Sequence, residues 1–364
     1  MLLRSALPVL AIASLVLTGC VATPAEKPSG PVVSASAGIP LAELDLLADP
    51  HSFDGPSTAV LGSAAVDAPS TPPAQELPAT VVSQDRDGDT SVTVESTERI
   101  LALDMAGSIA ATVFGLGFGD SVIGRDSSTT FHEAADLPLV TNGGHSINSE
   151  AVLALRPSVV ITDGTIGPLD VVLQLRDAGI SVVFVDREPS LAGVGDLARS
   201  VGAALGAPDA GSALADSLAA DIDAKIAEIA AVAPTAAPLR MVFLYLRGGS
   251  GIYYLFGSES GADELIESLG GVDVAGEIGW KGMRPLTDEA LIAANPDLIL
   301  VMTDGLESAG GVDGLLETKP AIGLTTAGQK KRFVDMADGE ILSFGPRTAD
   351  VLDALARAIY APAS

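Results

Sequence analysis

One phrase occurs twice in this chain. Glu150-Ala151-Val152-Leu153-Ala154-Leu155-Arg156-Pro157 leads into Ser158–Ile161 and then Thr162-Asp163-Gly164. Glu289-Ala290-Leu291-Ile292-Ala293-Ala294-Asn295-Pro296 leads into Asp297–Met302 and then Thr303-Asp304-Gly305. Each copy predicts a short helix opened by an acidic residue, a stop before proline, a buried strand and a turn at Thr-Asp-Gly. The strand of the second copy is longer by two residues. A helix–strand unit that returns in this way predicts two similar α/β lobes, each a parallel sheet covered by helices.

The flanking sequence extends that pattern. Ile100-Leu101-Ala102-Leu103 reads as a buried strand followed by a helix over Ser108–Leu116. Val159–Ile161 and Val182–Val185 read as further short strands with a helix between them. Upstream, Thr80-Val81-Val82 and Ser91-Val92-Thr93-Val94 flank Asp85-Arg86-Asp87-Gly88-Asp89, which predicts a hairpin around an acidic turn. The spaced aspartates resemble a calcium loop, but Thr90 stands where that loop needs glycine and Ser96 where it needs glutamate. Between the two copies, Ala213, Leu214, Leu218, Ile222, Ile226 and Ile229 recur at helical spacing within Asp209–Ala233, with Pro208 before and Pro234 after. One long helix therefore joins the lobes.

The N-terminus points outside the cytoplasm. Arg4 precedes an apolar run from Leu7 to Leu17, too short to span a bilayer, and the run ends in Leu17-Thr18-Gly19-Cys20. This resembles the bacterial lipobox, which implies lipidation of Cys20 and attachment to the outer face of the cell membrane. Residues 21–78 are rich in Ala, Pro, Ser, Thr and Gly, and read as a flexible tether with one ordered patch near Leu41–Leu47. The divisions expected are a signal at 1–19, a tether at 20–78, an N-terminal lobe at 79–208, an interlobe helix at 209–233 and a C-terminal lobe at 234–364.

Composition narrows the function. A net charge of −27 opposes nucleic acid and leaves membrane attachment to the lipid. Cys20 is the only cysteine, so no disulfide closes within the chain. His51, His132 and His145 are the only histidines, and a three-histidine zinc site would consume all of them. No nucleophile–base pair or Walker motif stands out, so catalysis is not expected.

In open α/β lobes ligands bind beyond the carboxyl ends of the strands. Two segments suit such a cleft. Asn142-Gly143-Gly144-His145-Ser146-Ile147-Asn148 presents His145 ahead of a helix starting near Ser149. Met241–Gly249 is a strand on which Phe243, Tyr245 and Arg247 share a face, with Tyr245 and Arg247 at its end. A loop-surface histidine and a core tyrosine beside a surface arginine are the plainer alternatives. A guanidinium near a phenol favours phenolate, and phenolate and neutral imidazole both ligate haem iron.

The two lobes and single long helix resemble the class of substrate-binding lipoproteins that feed siderophores, cobalamin or haem to ABC importers, over residues 96–364. Gly-Gly-His-Ser-Ile-Asn and Tyr-Leu-Arg-Gly are similar to the haem-binding lipoproteins of actinobacterial haem importers. That resemblance implies a class III periplasmic-binding-protein-like α/β fold, with ferric haem held between His145 and Tyr245 and Arg247 hydrogen-bonded to the tyrosine. It further implies a cleft approached by Trp280, Met283, Arg284 and Met302, for which ordinary packing or solvation is an equal alternative. Glu150 and Glu289 would dock onto arginines of a permease served by a separate ATPase chain. Haem-donor proteins at the cell surface would be upstream partners. A ferric siderophore or cobalamin on the same scaffold is the closest rival ligand. A haem enzyme is disfavoured by two protein axial ligands, which leave no open iron position.

Overall fold

In the computed structural model the described residues are 31–34, 38–142, 145–186 and 188–363, so Cys20 and the expected export signal lie outside them. Strands are numbered along the chain: β1 (Val32–Ser34), β2 (Ser57–Val60), β3 (Ala79–Ser83), β4 (Thr90–Val94) and β5 (Ile100–Leu103). Two short strands follow, β6 (Thr141–Asn142) and β7 (Ser146–Ile147), then β8 (Val159–Thr162) and β9 (Ser181–Phe184). β5, β8 and β9 form a parallel sheet in that order. Alternation sends Ile100, Ala102, Val159, Ile161 and Val183 into one core, with helices Ser108–Gly115 and Leu191–Ala204. Leu101, Leu103, Val160, Val182 and Phe184 enter the other, with Val152 and Leu175 from helices Ser149–Leu155 and Leu169–Asp177. Both faces are covered, which is why these strands are apolar throughout.

The second lobe has the same layering. Its strands are β10 (Arg240–Arg247), β11 (Ile252–Phe256), β12 (Val272–Asp273), β13 (Met283–Pro285), β14 (Leu298–Met302) and β15 (Phe333–Met336). The sheet order is β1-β2-β15-β14-β10-β11-β13, with β12 beside the start of β10. β10, β14, β15 and β2 run parallel, while β11 runs antiparallel to β10 and β13 runs antiparallel to β11.

The repeated phrase is structural at both ends of its helix. Asn148 caps Ser149–Leu155 by accepting from the Ala151 N–H, and Thr287 caps Asp288–Ala294 by accepting from the Ala290 N–H. Arg156 and Asn295 close the two helices in left-handed conformations, each just before its proline. The copies diverge afterwards. Asp163 accepts from the Thr165 N–H and Gly164 has φ +75°, which is the expected turn. In the second copy Thr303-Asp304-Gly305 instead opens a helix, Thr303–Ser308, and the turn reading fails there.

The interlobe helix spans Pro208–Ala230, about 35 Å of axial rise. Gly211, Ala215, Leu218, Ile222 and Ile229 form its buried face. It lies against Leu191–Ala204 at a separation only glycine permits: a Cβ on Gly202 would stand 2.6 Å from the Gly211 Cα.

Part of the expected tether is folded. β2 pairs with the open side of β15 and β1 pairs with β2, so both belong to the sheet of the C-terminal lobe. Leu41 is fully buried in that lobe's core, and its N–H donates to Glu228 on the interlobe helix. The chain then crosses to the other lobe, where Val66 joins the core around Val113 and Phe114 and the Gln75 amide donates to Leu205 O at 2.7 Å. The N-terminal stretch is thus a strap that spans the lobes alongside the helix. Composition concealed it because strands of three and four residues take their order from the edge they join.

Two outcomes follow from these contacts. Leu41→Ala should lower unfolding free energy by about 3 kcal/mol in urea titrations, as for a filled core site; an unchanged midpoint would return this stretch to a tether. Asp85 in the acidic turn accepts two hydrogen bonds from Arg176, both 2.9 Å, which hold its carboxyl down at about 2 from an ordinary 3.8. Its stabilisation is therefore complete above the unfolded value and is lost as pH falls through 2. The stability gap between wild type and Asp85→Asn, on the order of 1–2 kcal/mol near neutrality, should narrow from pH 4 towards pH 2.

Candidate functional site

The site begins with the length and burial of β10. Met241 and Phe243 point into one core with Leu298, Leu300, Val334 and Met336. Val242, Leu244 and Leu246 point into the other with Ile299, Val301 and Phe333. Tyr245 is the next residue on the first face and packs half-buried at its margin, as do Phe256 and Met302. Leu244 pairs with Val301, which brings Tyr245 level with Met302 at the carboxyl ends of adjacent parallel strands. The expected shared face of Phe243, Tyr245 and Arg247 is present.

Aromatic and cationic groups fix the tyrosine ring. Phe256 stacks on one side, with ring centroids 6.3 Å apart and planes 24° from parallel. The Arg247 guanidinium lies over the ring, 4.6 Å from its centroid. Here the structure differs from the expected arginine–hydroxyl bond. Among the described residues, Arg247 Nη2 donates to Asp338 Oδ2 at 2.6 Å and Nη1 donates to Leu246 O at 2.9 Å. The other oxygen of Asp338 accepts from the Asp304 N–H at 3.0 Å. Burial pushes the Asp338 carboxyl up, and the Arg247 charge works against that shift.

The opposite wall comes from the first lobe. His145 sits exposed at the turn between β6 and β7, and its carbonyl accepts from the Gly167 N–H. Gly143 and Gly144 lie outside the described residues. Ser128 Oγ stands 3.5 Å from His145 Nδ1. The loop carrying Ser128 is set by buried Asp126, which accepts from the N–H groups of Ser128 and Thr129, both at 2.8 Å, and from the Asp104 N–H at 3.0 Å. Burial raises the Asp126 carboxyl against those stabilising bonds.

The two walls meet. A Cβ added to Gly339 would stand 2.9 Å from Ser128 O, so the segment after β15 touches the first lobe beside Asp338. Nearby, Ser108 Oγ donates to Ser343 O and the Leu191 N–H donates to Glu264 Oε2 at 2.7 Å. A continuous line of contacts runs His145, Ser128, Gly339, Asp338, Arg247, Tyr245. The two sequence-selected groups stand at its ends, on opposite lobes.

The remaining candidates separate by face. Met283 pairs with Phe256 across the sheet and is 55% exposed, so it extends the face that carries Tyr245. Arg284 pairs with Leu255, whose side chain belongs to the far core, and it approaches the Trp280 ring at 5.8 Å. Trp280 packs on that same core and donates its indole N–H to Leu255 O at 2.9 Å. The structure therefore places Trp280 and Arg284 away from the Tyr245 face. Glu150 and Glu289 are exposed in the first turns of their helices. Sequence reasoning missed Phe256, Ser128 and Asp338. An alternating Tyr-Leu-Phe strand after a glycine turn pointed towards Phe256, but nothing local marks Asp338, which lies 91 residues from Arg247.

Comparison with known proteins places this architecture. Residues 105–338 match the periplasmic binding protein family. YvrC of Bacillus subtilis (strain 168), an uncharacterised ABC transporter substrate-binding lipoprotein, is 28% identical over 251 residues, covering 68% of this chain and 76% of its own. The crystal structure of the haem-binding protein HmuT superposes with a TM-score of 0.80 at 39% identity, over 86% of this chain and 99% of HmuT. The periplasmic haem-binding protein RhuT from Roseiflexus sp. RS-1 gives 0.65 at 36% identity, over 74% of this chain and 100% of RhuT. Three further HmuT structures carry alanine in place of an arginine, a tyrosine and a histidine, the first two standing two positions apart. With two layered lobes, one long connecting helix and this match, the chain belongs to the periplasmic binding protein family.

Proposed function

We propose that this protein captures ferric haem outside the cell and delivers it to an ABC importer, with no chemistry on the ligand. The observation that carries the reading is the line of contacts from His145 to Tyr245 across the lobe boundary. An imidazole and a phenol on opposite walls suit the two axial positions of a planar iron macrocycle. Phe256, Met302 and Met283 offer apolar surface for the ring. The 39% identity to HmuT supports the ligand class, and the spacing of the tyrosine and arginine varied in HmuT equals that of Tyr245 and Arg247 here.

The remaining parts of the proposal follow from the transport role. Cys20 carries the lipid that holds the protein on the extracytoplasmic face of the membrane. Glu150 and Glu289 are the docking contacts to the permease, since both are exposed and occupy equivalent helix starts. The ATPase is a separate chain, and haem arrives from donors outside the cell.

His145→Ala and Tyr245→Ala should each change the visible spectrum of the ferric complex, with the double variant weakening haem binding most. Unchanged spectra in both single variants would remove the ligand assignment, and binding of cobalamin in preference to haem would favour the rival ligand. Glu150→Lys combined with Glu289→Lys should leave the haem spectrum intact and cut haem-dependent growth or uptake at least tenfold, because charge reversal at docking contacts leaves like charges facing each other. Normal uptake by that variant would sink the docking role.

A further inference from the structure

Arg247 has three neighbours that can use its charge, and only one is the proposed iron ligand. Its guanidinium is pinned by Asp338 at 2.6 Å and by Leu246 O at 2.9 Å, in a position above the Tyr245 ring rather than at the hydroxyl. Asp338 is itself fixed by the Asp304 N–H, at the start of the helix following β14. With Tyr245 ligating iron as phenolate, the carboxylate and the phenolate would be two anions sharing one guanidinium. A cation bound to a close carboxylate stabilises a second anion less than an unpaired one does.

We propose that Asp338 is a positioning residue that restrains the site: it holds Arg247 over the Tyr245 ring and so keeps tyrosine ligation of haem weak enough to reverse. The inference rests on the haem reading of the same site and assigns a residue to its release. Asp338 is well placed for this because the adjacent Gly339 touches Ser128 of the other lobe. Displacement at the lobe boundary therefore acts directly on the segment that carries the restraint.

The sign of the effect separates restraint from simple structural support. Replacing Asp338 by its neutral isostere frees Arg247 to serve the phenolate alone, so haem should leave more slowly. Dissociation is read by stopped-flow transfer of haem from the full folded protein to excess apomyoglobin. Asp338→Asn should slow transfer about fivefold, the low end of measured coupling between sites, and Asp338→Glu should stay near wild type. In an Arg247→Ala background, Asp338→Asn should have no further effect, since the action passes through the arginine. In the haem-free protein, the Arg247 side-chain N–H groups should show slowed rotation by NMR that Asp338→Asn abolishes. Equal or faster transfer from Asp338→Asn overturns the inference, as does a slowing that persists without Arg247. Failure of the haem reading would appear separately, as a ferric spectrum that Tyr245→Ala leaves unaltered.

Discussion

The eight residues of β10 set the geometry on which the site depends. The strand is hydrogen-bonded on both sides and buried on both faces, so neither its register nor its facing can slip. A shift of one residue would turn Tyr245 and Arg247, together with Phe243, towards the far core. The apolar alternation of Met241–Leu246 therefore does more than build a core. It delivers a phenol and a guanidinium to the strand's end on one face, where the paired strands β14 and β15 also finish.

The first lobe meets this edge through a small number of stiff contacts. Asp126 orders the Ser128 loop from beneath, and Ser128 touches both His145 and the segment that holds Asp338. Position of the histidine and position of the arginine are in this way referred to one seam. A long helix and the N-terminal strap join the lobes, and the close approach of Gly202 to Gly211 seats that helix on the first lobe. Such a frame favours small displacements at the seam over wide hinge opening.

Much of this was legible in residue order. Asn148 and Thr287 as caps, Pro157 and Pro296 as stops and the apolar strands between them follow from local backbone chemistry. Tyr245 and Arg247 were legible because strand alternation is a two-residue rule. The strap was hidden because Val32–Ser34 and Ser57–Val60 have too little pattern of their own and are ordered by the free side of β15. Asp338 was hidden for a related reason. Its contact with Arg247 exists only once β15 lies beside β14, a neighbourhood no short window contains. The second Thr-Asp-Gly opens a helix whose next residue, Leu306, is taken up by the core, whereas the first copy has Thr165 at that position, with its N–H and hydroxyl both donating to Asp163.

The strap also bears on how far the protein can stand from a membrane. The proposed lipid site, Cys20, lies only eleven residues before Pro31, the first described residue. Whatever path those residues take, they span at most about 40 Å. A tether running to residue 78 would have allowed roughly 200 Å by the same measure. β1, on the outer margin of the second lobe's sheet, is then the part of the body closest to its anchor. The protein would patrol a shallow layer above the bilayer with that margin facing inward, so the search for a membrane partner is confined to a thin shell and a restricted set of orientations.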